Sequence, residues 1–116
     1  MDNLKLLDTK TAIEMVDNDI SLYKILLEGF LKDAPFSSGH LFDLIHKNDF
    51  ENADHYVHRI KGAAGQLGAT PLHTSAQELE NVLRGKKEGN VENLAAIFVD
   101  LYGKTYKAME DEFNSL

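Results

Sequence analysis

The chain has 116 residues, with 12 Lys+Arg against 19 Asp+Glu, no Cys and no Trp, which suits one domain (1–116) around a single core. A net charge of −7 repels a phosphate backbone and argues against nucleic acid as a partner, while the lack of Cys leaves no disulfide, thiolate nucleophile or Cys-based zinc site. Apolar runs such as Ile25-Leu26-Leu27 are too short to enter a bilayer, and Met1-Asp2-Asn3-Leu4-Lys5 has no signal-peptide character, so a cytoplasmic domain without membrane insertion is expected.

Apolar residues recur at helical spacing almost throughout, and no segment alternates with period two. Asp8 opens a short helix carrying Ala12, Ile13 and Val16, with Thr11-x-x-Glu14 resembling a capping box. Asn18 or Asp19 caps a second helix, whose expected apolar face holds Leu22, Ile25, Leu26, Phe30 and Leu31. Asp33, followed by Ala34-Pro35, marks a third start, because Pro is tolerated in a first helical turn; this helix would bury Leu41, Leu44 and Ile45. Asp49 caps a fourth helix that ends near Gly68, and Thr70-Pro71 opens a fifth with Leu72, Ala76, Leu79 and Leu83 on one stripe. After the turn at Gly85–Gly89, Asn90 begins a sixth helix carrying Leu94, Phe98, Leu101 and Met109. The expected fold is all-α: an antiparallel four-helix bundle with two shorter additional helices at the N-terminal side.

The fourth helix carries the chemistry. At about 100° per residue, Ala53, Val57, Ile60, Ala64 and Leu67 fall within an arc of roughly 80° that must face the core. His58 lies about 140° from the centre of that arc, toward solvent, with Lys61, Gly62 and Gly65 one and two turns further on. Each interior glycine costs about 1 kcal/mol of helix stability relative to Ala. Close approach of another molecule to the imidazole is a reason to tolerate that cost, and Lys61 offers a mobile cation for an anion carried on His58.

His58-x-x-Lys61-Gly62-Ala63-Ala64-x-x-Leu67-Gly68-Ala69 resembles the signature of histidine-containing phosphotransfer (HPt) domains of two-component phosphorelays. Asp19-x-x-Leu22-Tyr23 and Leu26-Leu27-x-x-Phe30-Leu31-x-Asp33-Ala34-Pro35 are similar to the family's second helix and following turn, and Ala76-x-x-Leu79-Glu80 to the helix after the histidine helix. The resemblance implies that His58 takes a phosphoryl group through Nε2 from a receiver-domain phosphoaspartate and passes it to another receiver. It also implies that Lys61 neutralises phosphoryl charge and that Gly62, with Gly65, leaves room for the receiver. Glu80 stands where many members have Gln and would orient the imidazole through Nδ1 and make it more basic, though it would also repel a nearby phosphoryl group. Implied partners are receiver domains of response regulators or a hybrid sensor histidine kinase. No cofactor of its own is implied, Mg²⁺ being expected on the receiver, and no ATP-dependent kinase activity; the expected state is a monomer.

Other readings stay open at this point. One is a receiver-docking module that is not phosphorylated; another is a structural or metal-binding bundle, since His55 and His58 stand three apart beside Asp54. A third is the dimerisation domain of a kinase, which also displays a helical His. His40, His46 and His73 read as surface or capping residues, and Arg59 as a solvated charge.

Overall fold

A computed structural model describes residues 6–32 and 36–116. Among the described residues six helices follow one another: α1 (Thr9–Met15), α2 (Ile20–Lys32), α3 (Ser38–His46), α4 (Phe50–Gln66), α5 (Thr70–Leu83) and α6 (Val91–Ser115). No strand occurs among the described residues. The long helices α2, α4, α5 and α6 form the bundle, and the two short ones, α1 and α3, lie in the N-terminal half.

Local chemistry sets the helix starts. Asp8, Ser37, Asp49 and Asn90 each accept a bond from a backbone N–H three residues on, satisfying donors that a helix start leaves orphaned. Asp19 does the same for Leu22 N at 3.0 Å, which selects it over Asn18 as the cap of α2. Asn18, with Asp17, instead takes the left-handed backbone of the preceding turn. The expected Thr11–Glu14 box is replaced by a tighter arrangement. Asp8 accepts both Thr11 N (3.1 Å) and Thr11 Oγ1 (2.8 Å), because the helix begins at Thr9, one turn earlier than the box requires. The third helix begins at Ser38 under Ser37, not at Asp33; Asp33, Ala34 and Pro35 lie outside the described residues.

The core stripes of α4 and α5 hold as the periodicity predicts: Ala53, Val57, Ile60, Ala64 and Leu67 are buried, as are Leu72, Ala76, Leu79 and Leu83. The stripe expected on α2 is shifted. Leu22 and Ile25 are 40% and 63% exposed, while Tyr23 and Leu27 have no exposed surface. Leu26, Phe30 and Leu31 do pack partly buried against the core, but packing against α6, where the Tyr23 hydroxyl meets Glu112, turns Tyr23 and Leu27 inward in place of Leu22 and Ile25.

Helices α4 and α5 make the most extensive contact in the bundle, α5 also packs on α6, and α6 in turn on α2. Gly68 makes the α4–α5 turn possible. Its φ of +72° is left-handed, and a Cβ there would run into the carbonyl oxygen of Asp8. Asp8 N in turn donates to Gly68 O at 2.8 Å, tying the start of α1 to the turn between the two helices.

Candidate functional site

The site lies along the seam where one flank of α4 meets one flank of α5. On α4, Asp54, His58, Lys61 and Gly65 stand roughly 80–140° from the core direction; on α5, His73, Gln77, Glu80 and Arg84 occupy the matching arc. Both sets step by four, three and four residues, and the helices run antiparallel, so the sets meet rung by rung. Asp54 pairs with Arg84, His58 with Glu80, Lys61 with Gln77 and Gly65 with His73.

Glu80 is the centre. Its side chain has no exposed surface, which is unusual for a carboxylate and demands counter-charge. Lys61 Nζ supplies one at 2.8 Å from Oε1 and Arg84 Nη2 another at 2.8 Å from Oε2. His58 Nδ1 lies 3.2 Å from each oxygen. Burial pushes the Glu80 carboxyl up, but its contacts with Asp54, Lys61 and His58 outweigh burial and hold it well below the usual carboxylate range. An ionised carboxylate only accepts, so the hydrogen of the His58 pair sits on Nδ1. The imidazole is 56% exposed, and Nε2 has no hydrogen-bond partner among the described residues.

Lys61 differs from the expected mobile surface cation. Its side chain is only 15% exposed and lies across α5, bonded to Glu80 and, at 3.1 Å, to Gln77 Oε1. The reason is angular: Lys61 stands about 80° from the core direction, on the flank rather than the crest of α4. Gly62 stands on the crest, and a Cβ added there would meet nothing within 4 Å. Gly65 has a packing explanation, since a Cβ there would sit 3.2 Å from His73 Nδ1. That nitrogen donates to the Lys61 carbonyl oxygen at 3.1 Å, so His73 is a clamp between α4 and α5 rather than a surface or capping residue.

Sequence reasoning missed Asp54, Gln77 and Arg84. The available signal was the polar four–three–four spacing on two successive helices, together with Glu80-x-x-x-Arg84 as an i,i+4 pair. Asp54 Oδ2 accepts from Arg84 Nε at 2.8 Å, while its buried Oδ1 has no partner. Burial first, and neighbouring Glu80 second, raise the Asp54 carboxyl above its ordinary value. Arg59 stays at the surface, over the Tyr56 ring, and His46 pairs with Glu92. Among the described residues no three or more His, Asp or Glu side chains gather as a metal site would require, and no helix is long and apolar enough to cross a membrane.

Neither a curated protein nor a solved structure matches the chain. The sequence pattern of the Hpt domain does match, over residues 25–115, a stretch that takes in both helices of the seam. The protein belongs to the Hpt domain family, and its role is phosphotransfer in two-component signalling.

Proposed function

We propose that His58 carries the phosphoryl group, accepting it from the phosphoaspartate of one receiver domain and passing it to another. The supporting observation is the placement of the imidazole: Nδ1 is engaged by the buried Glu80 carboxylate, and the ring is 56% exposed with no partner on Nε2 among the described residues, so that the neutral ring offers its Nε2 lone pair to a phosphoryl group. Attack by Nε2 on phosphorus forms the N–P bond and breaks the bond from phosphorus to the aspartyl oxygen, which leaves with the electron pair as carboxylate. The ring, still protonated at Nδ1, takes up one positive charge, and Glu80 stabilises it. A carboxylate does this more strongly than an amide, because a charge-assisted hydrogen bond is about twice as strong as a neutral one. The repulsion expected between Glu80 and the phosphoryl group is offset by the two cations of the site, Lys61 and Arg84.

The bundle's contribution is positioning and charge, which suits phosphoryl transfer. Gly62 leaves the crest of α4 low beside His58, so the receiver's loops and its Mg²⁺ can approach. The protein brings no cofactor of its own and has no kinase step; its partners are response-regulator receivers or a hybrid sensor histidine kinase.

The test is phosphotransfer from a panel of phosphorylated receiver domains to wild type and His58→Gln. Acid-labile, alkali-stable label on wild type alone is the expected result. Receiver binding without label on folded protein would replace this reading with a non-phosphorylated docking module.

A further inference from the structure

Lys61 has two claims on it. The ammonium that should balance a phosphoryl group on His58 is occupied, in the free protein, by Glu80. A cation cannot simply leave a carboxylate with no exposed surface, because the isolated buried charge is then uncompensated. We propose that Arg84, anchored by Asp54, is the permanent counter-ion of Glu80 and so frees Lys61 to change partner, from the Glu80 carboxylate to the phosphoryl group on His58. The inference rests on the phosphohistidine reading above.

Three observations carry it. The first is the division of Glu80's two oxygens: Oε1 takes Lys61 and Oε2 takes Arg84, so one cation can go while the other stays. The second is the contrast between the cations. Arg84 is fixed at two points, Nε on Asp54 of α4 and Nη2 on Glu80 of its own helix, each at 2.8 Å, and its planar fork cannot swing without breaking both bonds. Lys61 is a point charge on a flexible four-carbon stem, one turn from His58, and its contact with Glu80 is to Oε1, one of the two oxygens that His58 Nδ1 approaches equally.

The third is Asp54 itself. Its buried carboxyl has one oxygen without any partner and the other on Arg84. What this carboxyl holds is Arg84, across the seam. Burial also disfavours the charged form of Asp54, which limits its competition with Glu80 for the guanidinium. With Lys61 gone, Glu80 and Arg84 remain a balanced pair, and Lys61 meets about two negative charges on the phosphoryl group. Nothing is consumed in this exchange: Lys61 keeps its protons and only its hydrogen-bond acceptor changes.

A double-mutant cycle tests it, with phosphoramidate as phosphoryl donor so that receiver docking plays no part. Uptake at His58 is measured for wild type, Arg84→Met, Glu80→Gln and the double variant. Arg84→Met should slow uptake about tenfold, the cost of one charge-assisted contact, since Glu80 then retains Lys61. In the Glu80→Gln background, where no buried charge needs a counter-ion, the same change should cost less than about twofold. Asp54→Asn should act in the same direction as Arg84→Met, more weakly, and should also lose its effect in the Glu80→Gln background; it tests the inference even if Arg84→Met does not fold. An equal loss in both backgrounds would overturn the inference, because Arg84 would then act on the phosphoryl group or the fold directly. No loss in the Glu80 background would overturn it too. Absence of label on wild type would instead strike down the phosphohistidine reading and the exchange with it.

Discussion

At the scale of the residue, the site turns on one carboxylate with no surface in water. Glu80 is ionised because two cations and an imidazole N–H surround it, and that arrangement ties the site to stability. Its folded value is lowered from 4.5 to about 2, so the contribution is fully present above pH 4.5 and is lost as pH falls toward 2. Asp54, whose value is raised, contributes with the opposite sign, its favourable part being lost as pH rises. Wild type should therefore melt higher than Glu80→Gln at neutral pH, and the gap should close between pH 4.5 and 2. Thermal unfolding of the two proteins followed by circular dichroism checks this, and a gap that stays constant with pH would contradict it.

At the scale of the element, the glycines divide by what surrounds them. Gly29, Gly62 and Gly103 lie inside helices with nothing within 4 Å of an added Cβ, so Ala at each should stabilise the fold by about 0.5–1 kcal/mol. Only Gly62→Ala, beside His58, should also slow transfer from a receiver, giving a more stable but less active protein; Gly29→Ala and Gly103→Ala are the controls. Gly68→Ala should instead destabilise by about 2 kcal/mol or more, because its left-handed φ and the Asp8 carbonyl both exclude a side chain. Urea unfolding of the four variants, with transfer rates for the first three, decides these points. Equal transfer by Gly62→Ala and wild type would remove the role given to Gly62.

At the scale of the whole molecule, α6 is the beam. Its 25 residues run about 37 Å at the helical rise, close to the 42 Å long axis of the protein. It packs on α5 on one side and on α2 and α3 on the other. Phe98, with no exposed surface, meets Phe36 edge-on, and Phe36 stacks in turn on Tyr56 of α4, joining the beam to the histidine helix. Four long helices of one chain line the core, whereas a kinase dimerisation domain builds its bundle from paired hairpins. Sedimentation equilibrium should return the monomer mass of 13.0 kDa; twice that mass would mean that the bundle is completed between chains.

Much of this protein is determined locally and can be read from its letters. Helical periodicity, caps such as Asp49 and Asn90, and the stop at Gly68 depend on neighbours a few residues away, so the all-helical fold and the core stripes of α4 and α5 follow from sequence. The angle between His58 and that stripe likewise sets the imidazole toward solvent. What sequence could not rank was the choice between Leu22 with Ile25 and Tyr23 with Leu27 on α2, since α6 makes that choice through a contact 89 residues away. Nor could it show that Lys61 lies across α5, that Gly65 is small for His73, or that Asp54 and Arg84 stand behind Glu80. Those facts depend on the register in which α5 folds back along α4. Periodicity tells which face of a helix is dry, but a hydrogen bond between helices exists only once packing has set their relative height and distance.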